Sequence, residues 1–150
     1  MKVITRFEKA TDLMMNDSFS CSQAILEVFC EDFDVDLIEA RKLSALFGGG
    51  LKSGNVCGLI TGALMVLGLK YGQTEPKDVT TKALSGPIAR EFIKRFTEMG
   101  HDLNCEDLLG INSSTPEGAE YVKANDLHRT ICVPLLRDAI EILERMIFDE

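Results

Sequence analysis

Apolar residues recur at helical spacing along most of the chain. Phe7, Ala10, Leu13 and Met14 share one face before the polar pair Asn16-Asp17. Ser18 and Ser20 are candidate N-caps for a second helix carrying Ala24, Ile25, Val28 and Phe29. Asp36, with Glu39 three residues on, reads as an acidic capping box. It opens a helix with Leu37, Ala40, Leu43 and Phe47 that Gly48-Gly49-Gly50 should stop. Beyond the loop 48–54 the segment 56–71 is almost wholly apolar, which predicts a buried core helix ending at Gly72. Pro76 suits the first turn of a fifth helix, and Ser85-Gly86-Pro87 should break or kink it before Phe92, Phe96 and Met99. Asn104 caps a short helix closed by Gly110, and Thr115-Pro116 opens another. Pro134 falls in the first turn of a last helix bearing Leu135, Ala139, Ile142, Leu143 and Met146. No alternating run bounded by hairpin turns appears. The pattern predicts an all-α fold, one compact bundle of about six to eight helices forming a single domain over residues 1–150.

Composition narrows the class of partner. The chain has 150 residues, 45% of them hydrophobic, enough for one ordinary core. Sixteen Lys and Arg against 24 Asp and Glu give a net charge of −8, which disfavours nucleic acid and anionic membrane. The uncharged stretch 53–69 falls short of the ~20 apolar residues of a membrane span. Charges at Lys2, Arg6, Glu8 and Lys9 leave no room for an apolar leader, so the expected compartment is the reducing cytoplasm. Arg6, Lys9, Lys94-Arg95, Glu106, Asp107 and Asp149-Glu150 read as solvated charge. The Gly-Gly-Gly loop lacks the Walker Lys-Ser/Thr and any preceding Rossmann strand, so it predicts no nucleotide site.

The chemistry rests with sulfur. Of five cysteines, Cys21, Cys57, Cys105 and Cys132 fall at four predicted helix starts. There, unpaired backbone N–H groups and the positive end of the helix dipole favour a thiolate. Cys30 sits at a helix end before Glu31-Asp32 and is assigned to packing. No two cysteines form a CxxC pair, so any site must be assembled by the fold from distant segments. Four separate core cysteines remain an equal alternative on composition alone. Gly54, Gly58 and Gly62 recur every four residues, a strip that allows close helix packing or gives a bound group room beside Cys57. His101 and His128 each precede a cysteine by four residues; an exposed histidine near a helix end is the simpler account of both.

Several of these segments resemble one known family. They are Ser20-Cys21-Ser22-Gln23-Ala24-Ile25, Phe47-Gly48-Gly49-Gly50, the run from Cys57-Gly58-Leu59-Ile60-Thr61-Gly62 to Gly68, Asn104-Cys105-Glu106-Asp107-Leu108-Leu109-Gly110, and finally Cys132. In order and spacing, from about residue 18 to 133, they are similar to the bacterial and archaeal redox-active family named for four cysteines and a Cys-Gly-Ala-x-x-Gly motif. The resemblance implies a small α-helical protein with a redox role, its four cysteines being Cys21, Cys57, Cys105 and Cys132. Leu59 replaces the motif's alanine and should narrow any space beside Cys57. The family also resembles a domain of split-Soret cytochromes, where such cysteines are linked to an iron–sulfur cluster; no haem-attachment motif occurs here.

Three functions compete on this reading. One is thiol/disulfide exchange or electron transfer at the four cysteines, with a redox protein or small electron carrier as partner. A second is four-thiolate binding of an iron–sulfur cluster or zinc, with Gly58 and Gly62 beside the bound group. The third is a non-catalytic helical interaction module with buried cysteines; a homodimer is possible, and nothing in the sequence fixes it.

Overall fold

The computed structural model describes residues 2–149; Glu150, read above as solvated charge, lies outside them. Eight α-helices form among the described residues: α1 (Arg6–Met15), α2 (Cys21–Cys30), α3 (Leu37–Ser44), α4 (Gly58–Tyr71), α5 (Val79–Glu98), α6 (Cys105–Leu109), α7 (Pro116–Ala124) and α8 (Val133–Glu144). No β-strand appears among them, and the fold is all-α. No helix among them is long and apolar enough to cross a membrane.

α4 is the hub, packed on α2, α5 and α8. Its apolar sequence has no polar face because neighbours surround it, and Leu59, Ile60, Ala63, Val66 and Leu67 are all buried. Phe29, Phe92, Phe96, Leu136, Ile140 and Leu143 fill the core around it. The stripes foreseen on α1, α2 and α8 face this core, with Ala10, Ile25, Phe29, Leu135, Ala139, Leu143 and Met146 buried. Gly72 and Gly110 end α4 and α6 as C-caps.

Five details of the sequence reading need correction. α3 stops at Ser44, short of Phe47, and Leu43 is 69% exposed. Its inner face is small and polar: Ser22 Oγ donates to the Ser44 carbonyl at 2.8 Å, and Gln23 Nε2 donates to the Arg41 carbonyl at 3.0 Å. Arg41 grips buried Glu27 with two hydrogen bonds of 2.8 and 2.7 Å and lies over the Phe19 ring. Hydrogen bonding, not an apolar stripe, ties α3 to α2.

The second correction concerns prolines. Pro76 lies in a turn ahead of α5, which Asp78 caps instead by accepting from the Thr81 N–H at 3.1 Å. α5 continues unbroken through Pro87, because the carbonyl that the proline leaves without a donor, that of Ala83, is on an exposed stretch and can be met by water. At Pro134 the expectation holds, since α8 begins at Val133 with the proline in its first turn, but the chain ahead of it is already helical as a π-turn over His128–Cys132. The Val133 N–H reaches back to His128, and this widened turn accommodates the missing N–H of Pro134.

Gly54 is the third: it precedes α4 and has a left-handed φ of 74° in the loop. Arg6 is the fourth. It donates to Asp32 at 2.8 Å and to Glu144 at 3.0 Å, and lies over the Phe29 and Phe148 rings. It ties α1 to the segment after α2 and to α8. The fifth, the position of Cys132, belongs to the site.

Candidate functional site

Cys21, Cys57, Cys105 and Cys132 line one cavity of about 700 Å³, walled by α1, α2, α6, α7 and the loop before α4. Cys30 is elsewhere. It is 3% exposed in the main core, and its thiol donates to the Leu26 carbonyl at 3.3 Å. Burial raises its pKa, with the Glu27 charge adding to the effect.

Local structure explains each placement. Cys21 is the first residue of α2, set by a complete capping box in which Ser20 Oγ accepts from the Gln23 N–H at 3.4 Å and Gln23 Oε1 accepts from the Ser20 N–H at 3.0 Å. Cys57 and Cys105 are brought together by an isolated antiparallel bridge between Val56 and Asn104. The Cys57 N–H donates to the Leu103 carbonyl at 2.8 Å, and the Cys105 N–H to the Asn55 carbonyl at 2.6 Å. Cys57 caps α4 and Cys105 begins α6, as expected. Cys132 differs from expectation. It lies inside continuous helical backbone where the π-turn meets α8, so it has no free helix start beside it.

The loop ahead of Cys57 is a left-handed turn. Gly49, Gly50, Leu51 and Lys52 have φ of 66°, 65°, 61° and 55° in succession. At Gly50 a Cβ would stand 2.3 Å from the Asn55 carbonyl oxygen and 2.8 Å from Cys105 Cβ, so glycine is needed for space as well as for conformation. Leu51 and Lys52 hold the same conformation with side chains attached, at roughly 1–2 kcal/mol each. Leu51→Gly is therefore expected to keep or raise stability by up to about 1 kcal/mol in urea unfolding. A loss of that size would show the turn unstrained.

This turn delivers an amide to Cys21. The Gly49 and Ser22 N–H groups donate to the Cys21 sulfur, but the largest influence is the Cys57 thiol, which donates to it as well. Together they outweigh burial and bring the Cys21 pKa down to about 7. Cys57 moves the opposite way, well above the usual thiol value, first through that hydrogen bond and then through burial. The first proton the pair loses, at a pH near 7, therefore comes from Cys21, while Cys57 keeps its own. Cys105 is raised by burial, with a lowering contribution from Ser113 Oγ at 4.0 Å. Burial, then the charges of Cys21 and Cys105, push Cys132 up to about 12.

Gly58 and Gly62 do not line the cavity; both face α2. A Cβ on Gly58 would stand 2.4 Å from Cys21 Sγ, and one on Gly62 would stand 2.3 Å from Ile25 Cγ2 and 2.9 Å from the Ser22 carbonyl oxygen. They let the Cys21 helix approach α4 closely. Leu59 supplies wall beside Cys57, in the motif's alanine position. Exposed His128 lies at the cavity with Cys132, whereas His101 is removed from it, bonded to Asp138 at 2.8 Å against the Phe96 ring.

Three groups in the site escaped the sequence reading: the Gly49 amide, and the cations Lys52 and Lys123 on the cavity lining. Gly48-Gly49-Gly50 was the available signal for the first, since consecutive glycines permit a left-handed turn as readily as they stop a helix.

No curated protein and no solved structure matches the chain. A family model does, described as "Putative redox-active protein (C_GCAxxG_C_C)", over residues 19–146. That span holds all four cavity cysteines, and the chain belongs to this redox-active family.

Proposed function

We propose that the protein carries out thiol/disulfide exchange, with Cys21 as the attacking thiolate and Cys57 as the resolving thiol. The observation that carries this reading is that Cys21 and Cys57 line one cavity, where the Cys57 thiol is the largest influence bringing the Cys21 pKa down to about 7. Cys21 thiolate attacks one sulfur of a disulfide R–S–S–R, forming a Cys21–S–S–R bond and expelling RS⁻, which takes up a proton. Cys57 then loses its proton and attacks Cys21 Sγ, expelling the second RS⁻. The substrate disulfide gains two electrons and becomes two thiols, and the protein dithiol becomes a Cys21–Cys57 disulfide. Cys105 and Cys132 stay protonated at neutral pH and shape the surroundings of the pair.

A second reading, four thiolates around an iron–sulfur cluster or zinc, has its ligand count in its favour because all four cysteines share the cavity. Their placement does not fit it. Among the described residues no three His, Cys, Asp or Glu side chains stand close enough together to hold one ion. The chemistry proposed here runs through sulfur alone.

Timed alkylation with iodoacetamide across pH, read peptide by peptide, tests the assignment. Cys21 is expected to react first, with a rate that rises through a midpoint about 7 as its thiolate forms. Cys30, Cys105 and Cys132 should remain slow until far higher pH. Equal rates at Cys21 and Cys30 would overturn the reading.

A further inference from the structure

The cavity has a charge opposite to that of the molecule. The chain carries a net −8, yet Lys52 and Lys123 both line the cavity, with His128 beside them. Neither lysine is ion-paired with another described residue. Among the described residues the one carboxylate on the lining, Asp126, is held by Arg129 at 3.0 Å, which offsets its charge. Lys52 also takes an unusual course. Its backbone is left-handed, and its ammonium lies 3.7 Å from the point where a Gly48 Cβ would stand. That same point is 2.4 Å from Ser20 Cβ, next to Cys21, so the amine folds back toward the start of α2. The left-handed backbone at Lys52 thus turns its ammonium back toward Ser20, the residue that caps α2. The hydroxyls of Ser18, Ser113 and Ser114 add hydrogen-bonding groups, while Met14, Phe19 and Val122 supply apolar wall. A volume of about 700 Å³ suits a small molecule.

From the two lysines gathered at this cavity of an acidic protein, we infer that its substrate is a small anionic disulfide, one bearing carboxylates within reach of Lys52 and Lys123. The disulfide part rests on the exchange reading above; the preference for an anion does not. The bonds made and broken are those of the exchange: Cys21 and Cys57 together supply two electrons, and the ligand leaves as two carboxylate-bearing thiols. The lysines are binding groups, holding the carboxylates so that the disulfide lies over Cys21 and offsetting the repulsion between an anion and the thiolate.

Two parallel measurements on the full chain separate the two claims. The first compares alkylation of Cys21 by iodoacetate and by iodoacetamide at low salt, with their ratio divided by that for 2-mercaptoethanol. The inference predicts a normalised ratio raised about tenfold, falling toward one in a Lys52→Gln/Lys123→Gln variant and at high salt. A ratio at or below that of the free thiol, or no reaction of Cys21 with either reagent, overturns it. The second measures mixed-disulfide formation at Cys21 with dithiodipropionate, 2-hydroxyethyl disulfide and cystamine, normalised in the same way. The anionic disulfide should react fastest and the cationic one slowest. Iodoacetate preference without reaction of any disulfide sinks the exchange reading and leaves anion binding standing. Exchange with all three at equal normalised rates sinks the anionic preference alone.

Discussion

Removing the Cys57 thiol should take most of the neutral-pH thiolate away from Cys21. In Cys57→Ala the largest influence lowering the Cys21 pKa is gone, and the Gly49, Ser22 and Cys21 amides remain against burial. The midpoint is expected to rise from about 7 toward the ordinary thiol value. A rise of about two units would cut the thiolate at pH 7 from half to about one part in a hundred. A more basic thiolate is intrinsically more nucleophilic, so the observed slowing of alkylation should be smaller, about five- to tenfold. The sign follows from the charge: the Cys57 donor stabilises the deprotonated form, so its loss moves ionisation to higher pH. Cys30→Ala serves as the control, because Cys30 donates to Leu26 in the core and is absent from the cavity lining. An unshifted midpoint in Cys57→Ala would mean that the amides alone set the ionisation of Cys21.

The second large effect is expected at Gly58. An added Cβ would meet Cys21 Sγ at 2.4 Å, and the Gly48 Cα and Phe47 carbonyl oxygen at 3.2 Å. The sulfur can move, but two of the three neighbours are backbone, so α2 and the glycine loop must shift together. Gly58→Ala is expected to cost about 2–3 kcal/mol in urea unfolding and to raise the Cys21 alkylation midpoint by displacing its donors. Gly68→Ala, in the same helix, is the comparison. Nothing lies within 4 Å of its Cβ position, and helix propensity should make it stabilising by about 0.5–1 kcal/mol. Similar effects at the two positions would show that the close approach of α2 to α4 has no energetic weight.

These two sites mark what the sequence discloses and what it hides. Helices α1, α2 and α8 were legible because their apolar positions repeat at helical period, α4 because its apolar run is unbroken, and caps such as Ser20 and Gly72 are ordinary signals. α3 was misread because periodicity cannot tell an apolar contact from the Ser22–Ser44 and Glu27–Arg41 bonds that tie it to α2. Pro134 opens α8 as read, whereas Pro87 does not break α5. A proline forbids one hydrogen bond, and a π-turn at residues 128–132 or water at an exposed carbonyl makes up the loss. At the site, Cys21 at the start of α2 and Cys105 at the start of α6 could be picked out by local rules. The Cys21–Cys57 hydrogen bond could not, since it joins residues far apart in sequence through the packing of α2 on α4. The left-handed course of Leu51 and Lys52 was equally hidden, because neither residue type favours it.

The most direct test of the central claim is the intact mass of protein purified without oxygen, before and after equilibration with one equivalent of a small disulfide, followed by peptide mapping. Thiol exchange predicts a protein without added mass that then loses two hydrogens, with the new bond between Cys21 and Cys57. Iron and sulfide or zinc retained before oxidation, or a mass unchanged by the disulfide, would contradict it.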